Sequence, residues 1–249
     1  MVKSGMSIAV RDKARADFKA YWEAADKARL ENPSSLRPLI SAAHSFAVAF
    51  ALFSRAVSNS SPEEFERIFL QELSSDALHL VHVLMVGDAR GARFYLRSII
   101  ENFWRHHYFR THPVEYEWLT TRPKFHLEMK TLREYCGWLA YFKGRLRGPC
   151  EDLSRLYSEL STSVHSTSAK TLVLRETLEE IRLTNEQAES VATEMRSTLR
   201  ACLVLLLISE SSTYEGLHID AQKFLRSVLT VKMCQWLDAD IASFSVNAT

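Results

Sequence analysis

Glycine and proline are scarce in this chain, seven and six among 249 residues. That scarcity speaks against collagen-like, low-complexity and turn-rich sandwich organisations, which use one or both residues often. Cysteine is sparse too. Cys136, Cys150, Cys202 and Cys234 stand far apart with no CxxC step, and Cys202 sits inside the apolar run ACLVLLLIS. Neither a zinc knuckle nor a disulfide framework is therefore expected, and a reducing cytoplasm fits. No charge sign dominates: 31 Lys and Arg meet 30 Asp and Glu for a net charge of +1, so any polyanion site has to be local. The longest uncharged run, Pro38 to Ser54, is broken by Ser41, His44 and Ser45 and is shorter than the roughly 20 apolar residues that cross a bilayer. The first 22 residues carry charges every few positions, which argues against a secretory signal and for a soluble protein with no membrane partner. Walker, GxGxxG and GxSxG motifs are missing, which leaves P-loop hydrolysis, dinucleotide binding and a hydrolase elbow unsupported.

What the chain has is apolar residues, 47% of the total, spaced by charges at helical intervals. Val10, Ala14, Phe18, Tyr21, Trp22 and Ala25 recur at three- and four-residue steps, predicting an amphipathic helix from Ile8 to about Glu31 that ends before Pro33. Ser35 to Val57 is apolar nearly all round and is expected to be central. Ser61, Pro62 and Glu64 read as an N-cap, a first-position proline and an acidic first turn for a helix running to about Val86. Gly87 and Gly91 precede a helix that stops before Pro113. The piece VEYEW and a turn at Arg122 to Pro123 lead to a helix from about Phe125 to Phe142, and Lys143 to Pro149 reads as a connection between helices. Glu151 to about Thr167, Asn185 to about Thr213 and a last helix beginning at Ala221 to Val228 complete an all-α, single-domain bundle of eight or nine helices. No period of 20 to 50 residues repeats.

Arg93, Arg97, Glu101 and Arg105 step by four and so share one face of their helix, with Trp104 and Tyr108 beside them. Ionic groups on a helix this apolar must be paired, hydrogen-bonded or turned to a cavity, because desolvation costs several kcal/mol per ion. Arg97 and Glu101 are the natural pair, and a structural ion pair holding helices in register is one account of them. In LYSELSTSVHS, Tyr157, Ser161 and His165 also step by four, along the edge of the apolar face of Leu153, Leu156, Leu160 and Val164. Asp76, His79 and His82 step by three and form a weak metal candidate, without HExxH or paired ExxH support, so the histidines read as structural and no metal or cofactor is assigned. Most Trp and Phe residues read as core and not as stacking platforms.

Arg105 is followed at once by the polar His106, and six residues separate Arg105 from His112. This arrangement resembles the Arg-x4-6-His motif of the HEPN ribonucleases, a superfamily of helical domains in prokaryotic toxin and antiviral systems. The segment pair RSIIE…THPVEYEWL and Y-x3-LS-x2-VH resembles a group of HEPN-related prokaryotic proteins over roughly Leu70 to Leu174. One departure concerns His112, which directly precedes Pro113 and so falls at or past the helix end, leaving His106 and His165 as alternative imidazoles. The resemblance implies an N-terminal helical part (1–60), a HEPN-like core (62–174) and C-terminal helices (175–249). It also implies metal-independent RNA cleavage by a toxin or antiviral effector, with a site built across a homodimer. Arg105 or Arg97 would clamp phosphate, and His165, His106 or His112 would serve as acid and base. Glu101 would orient them, and Arg93, Tyr157 and Ser161 would contact substrate. Two alternatives stand beside it. One is an inactive nucleotide-binding or protein-interaction module, an antitoxin-like partner or scaffold. The other is a bundle in which Arg97, Glu101 and His165 hold a small anion such as a nucleotide phosphate. All three need the two stripes to converge.

Overall fold

A computed structural model describes residues 33–165 and 183–247, together with Lys19 and Glu23, which pair at 3.8 Å as i and i+4. The rest of the expected first helix and the polar stretch up to Glu180 lie outside the described residues. Among these, the chain is all α-helix with two short 3-10 turns and no strand.

Helix α1 (Pro33–Ser60) buries Leu39, Ala43, Phe46, Phe50, Phe53 and Val57 at three- and four-residue steps, the period that keeps one face toward the core. The uncharged run stops at Arg55 while the helix continues to Ser60, so Leu36–Ser60 is long and apolar enough to cross a membrane by length and composition alone. Helix α2 (Glu64–Met85) starts two residues later than expected, at Glu64 instead of Pro62. Ser61 does not cap it; its hydroxyl donates to the Glu66 carboxylate, and Glu63 occupies the cap position without a side-chain bond. Gly87, at φ 79°, makes the turn into helix α3 (Ala89–Phe109). The Asp88 carboxylate accepts from the Arg90 and Gly91 amides at 3.0 and 2.9 Å, satisfying two donors that a helix start leaves open.

After α3 the chain departs from expectation in detail. VEYEW belongs to a helix, α4 (Pro113–Thr121), with proline at its first position. The next helix, α5 (Met129–Trp138), is shorter than predicted, and 3-10 turns at Ala140–Phe142 and Gly144–Leu146 carry the chain to α6 (Arg147–His165), which absorbs Gly148 and Pro149. Helix α7 (Asn185–Ser209) opens on a capping box between Thr184 and Gln187. It breaks at Glu210 before α8 (Ser211–Glu215), and the predicted last helix is two, α9 (Ile219–Ser227) and α10 (Val231–Asn247).

The core is organised around α3 and α7. Every residue from Ala201 to Ile208 is buried, as a helix covered on all sides requires. Trp104, Phe103 and Leu96 are fully buried on α3. Helix α3 packs against α2, α5, α6 and α7, and α7 also packs against α1 and α10. Arg90 reaches Val164 and Arg97 reaches Tyr157, so α3 and α6 run antiparallel. Arg93 reaches Glu194 and His106 reaches Glu210, so α3 and α7 run parallel.

Candidate functional site

The two stripes do converge, along the seam of α3 with α6 and α7. Arg97 Nη2 lies 2.8 Å from Glu101 Oε1 and donates to the Tyr157 hydroxyl at 3.4 Å. That hydroxyl donates to Glu101 at 3.2 Å, and the Arg97 guanidinium stands 5.4 Å from the centre of the Tyr157 ring. Trp104 meets the same ring edge-on at 5.1 Å. Arg105 approaches the other oxygen of Glu101 at 3.8 Å and donates to Asn102 Oδ1 at 3.2 Å. One carboxylate therefore serves two guanidiniums. Arg97 and Glu101 are only 19% and 15% exposed, so their pairing is strengthened by a dielectric below that of water.

The other arginines of the stripe are also engaged by the protein. Arg93 binds Glu194 with two parallel bonds of 2.8 and 2.9 Å and donates to Ser190 at 3.1 Å, the forked geometry that guanidinium and carboxylate share. Arg90 donates to the Val164 carbonyl at 2.6 Å. Ser161 lies one turn beyond Tyr157 on α6, its hydroxyl buried with no hydrogen-bond partner among the described residues.

The histidines are placed elsewhere. His106 is fully buried, its Nε2–H donating to Glu210 at 3.3 Å, and Arg110 pairs with the same carboxylate. Burial, with Arg110 nearby, pushes the His106 imidazole down to about 3. His107 is also buried, 3.4 Å from the Tyr141 hydroxyl, and burial holds it well below its ordinary value. His112 sits in the cap position of α4 with its ring stacked 4.0 Å from that of Tyr108. Its Nδ1–H donates to the Tyr108 carbonyl at 2.8 Å, which leaves Nε2 as the acceptor. His165 closes α6, and its side chain lies outside the described residues. The antiparallel register fixes its backbone position. At about 1.5 Å per residue, Arg105 stands about 12 Å along α3 from Arg97, while His165 stands about 12 Å along α6 from Tyr157, in the opposite direction. Within one chain, Arg105 and His165 flank the seam at opposite ends.

The remaining candidate dissolves into local contacts. Asp76 is buried and accepts from Asn102 Nδ2 at 2.9 Å. Desolvation raises its carboxyl, against opposing hydrogen bonds from Ser98 and Asn102. His79 meets the Ser75 carbonyl at 3.0 Å and stacks on Tyr95. Among the described residues no group of three or more His, Cys, Asp or Glu side chains is placed to hold a metal ion.

Several partners carry no signal in the sequence. Glu194, Ser190 and Glu210 are ordinary polar residues of α7 and its end, and only the parallel packing of α3 on α7 brings them to Arg93 and His106. Two surface features were likewise hidden: Trp138, 77% exposed, and a hollow at Thr121 to Phe125 beside Trp118. Searches against protein-family models, curated proteins and solved structures return no match.

Proposed function

We propose that this chain works by binding and not by cleaving: a catalytically inactive, HEPN-like helical module in the cytoplasm that takes a nucleotide or RNA ligand and serves a partner protein, antitoxin-like or as a scaffold, in prokaryotic defence. The observation that carries this reading is the disposition of proton carriers around Arg97 and Arg105. RNA cleavage without a metal needs a group that gives or takes a proton near neutral pH beside the phosphate clamp. His106 is locked neutral against Glu210, and His112 is turned onto Tyr108 at the other end of its helix turn. His165 is displaced along α6 by the register. Meanwhile Arg93 and Arg97 are engaged by carboxylates of this chain, so the seam is braced shut.

A second reading, the metal-independent endoribonuclease, is favoured by one observation. Arg105 keeps 35% of its side chain exposed and touches Glu101 only at 3.8 Å, so its guanidinium is open to a phosphate that a second copy of the chain could approach with its own imidazole. Incubation of the purified protein with end-labelled RNA in EDTA separates the two. Intact RNA is expected. Cleavage that disappears in Arg105→Ala or His112→Ala, both with unchanged melting, overturns the binding reading in favour of the nuclease.

A further inference from the structure

The arginines that the fold uses and the cations that it leaves over are in different places. Along α3, each of Arg90, Arg93 and Arg97 has an acceptor from its own chain within 2.8 Å. In the connection from α4 to α5, Arg122 and Lys124 have no carboxylate partner among the described residues. Arg122 instead lies over the indole of Trp118 at 4.3 Å, and Phe125 meets that indole edge-on at 5.7 Å, with an interplanar angle of 80°. Together Thr121, Arg122, Pro123, Lys124 and Phe125 line an open hollow of about 560 Å³, inside the size range of small-ligand sites.

The local chemistry explains why these groups stand ready. Thr120 and Thr121 turn their hydroxyls back to the Glu117 carbonyl at 3.0 and 2.6 Å, and Arg122 ends α4 in extended geometry. Pro123 then fixes the backbone bend. The Phe125 amide donates to the Arg122 carbonyl at 2.9 Å, closing a tight turn that brings both Arg122 and Phe125 against Trp118. A guanidinium held on an aromatic face has lost most of its rotamer freedom already, so it loses less on meeting an anion. Its plane, with the aromatic rings beside it, suits a flat ring as well as an oxyanion.

We propose that this hollow binds a nucleoside phosphate, the base stacking on the Arg122 guanidinium and Phe125 ring that Trp118 backs from outside the hollow, and the phosphate held by Arg122 and Lys124. An acidic peptide would answer the cations but would leave the aromatic surface unexplained, and a nucleotide answers both. The proposal rests on the binding reading above and gives it a location away from the α3 and α6 seam.

The test uses the full-length protein with adenosine monophosphate, adenosine and inorganic phosphate as probes, followed by ligand-observed NMR and isothermal titration. The nucleotide is expected to bind more tightly than either fragment alone. Arg122→Gln and Lys124→Gln, both at exposed positions, are expected to weaken it at least fivefold each with unchanged melting temperature. Trp118→Ala is expected to weaken it roughly 5- to 150-fold, the range a lost stacking contact of about 1–3 kcal/mol implies, and Trp118→Phe to restore part of that. No nucleotide binding, binding indifferent to both glutamine variants, or inorganic phosphate binding as tightly as the nucleotide would each overturn the proposal, the last by reducing the hollow to a plain anion site. Displacement of the nucleotide by a glutamate-rich peptide at lower concentration than by a second nucleotide would assign the hollow to acidic peptides instead. Cleavage of labelled RNA in a parallel incubation would overturn the non-catalytic reading while leaving this site untouched.

Discussion

Tyr157 is where α6 meets the charged stripe of α3, and it does so in three ways at once. Its hydroxyl donates to Glu101 and accepts from Arg97, its ring receives the Arg97 guanidinium, and its edge packs on Trp104. Tyr157→Phe removes only the hydroxyl. Because Arg97 still pairs with Glu101 at 2.8 Å, the loss should be that of the 3.2 Å bond to Glu101 together with the longer 3.4 Å bond from Arg97, about 1–3 kcal/mol, read as a lower urea midpoint at unchanged slope. Tyr157→Ala should cost clearly more, since the ring contacts go as well. A phenylalanine variant as damaging as the alanine would show that the hydroxyl, and not the ring, holds the seam. The Arg93 and Glu194 pair offers a cleaner measure of what such a bridge contributes. Both groups are about a fifth to a quarter exposed and doubly bonded, so a double-mutant cycle of Arg93→Ala with Glu194→Ala should give a favourable coupling of about 1–2 kcal/mol. A coupling near zero would place this pair with ordinary surface ion pairs.

At the scale of the element, the start of α3 shows how a helix boundary can depend on residues that must be read together. The Asp88 carboxylate bonds two amides, and a methyl group placed on Gly91 would collide with that same carboxylate. Asp88→Ala is expected to cost about 1–2 kcal/mol through the lost cap. Gly91→Ala should cost a comparable amount, although alanine is the better helix former, because the added methyl evicts the cap. Alanine at 91 that stabilises the protein in thermal melts would sink this account. The Asp-x-x-Gly pairing was not legible in advance; Gly87 and Gly91 could be seen to punctuate the chain, but which side chain occupied the space above Gly91 depends on the turn geometry. Apolar periodicity made α1, α2, α3, α6 and α7 readable, since each buries a stripe at helical spacing. Ser61 misled because its hydroxyl can either accept from the amides of a helix start or donate to a nearby carboxylate, and here it donates to Glu66. The break at Glu210 was hidden for another reason. The residue at the break is held by His106 and Arg110, which come from a hundred or more positions earlier, and local propensity holds no trace of them. The candidate site followed the same division. Arg97, Glu101 and Tyr157 could be matched from two spacings of four, whereas the burial of His106 and the opposite placement of Arg105 and His165 depend on helix direction, which spacing does not encode.

For the molecule as a whole, the two adjacent imidazoles at the end of α3 predict how stability responds to acid. His106 faces Glu210, Arg110 and His107, with Glu66 also nearby, and His107 faces Tyr141, Phe103 and Phe142. Both rings are completely buried against aromatic neighbours, and their folded-state affinities for a proton fall below those of an unfolded histidine, to about 3 for His106. Above pH 6.5 neither state carries the charge, and these groups leave stability independent of pH. Below it the unfolded chain takes up protons that the folded chain refuses, so each histidine lowers stability by about 1.4 kcal/mol per pH unit until its folded value is reached. Asp76 works the other way, because desolvation raises its carboxyl in the folded state. The folded chain therefore binds that proton first, and Asp76 offsets part of the loss as pH falls through its raised value toward 3.8. Two histidines outweigh one aspartate over most of the range. Urea midpoints should hold level from pH 8 to about 6.5 and then decline steadily toward pH 4. His106→Gln keeps a donor for Glu210 but cannot be protonated, so it should flatten the decline by about half even if it lowers the plateau. A decline of the same steepness in that variant would move the acid sensitivity away from this pair and onto the carboxylates of the α3 seam.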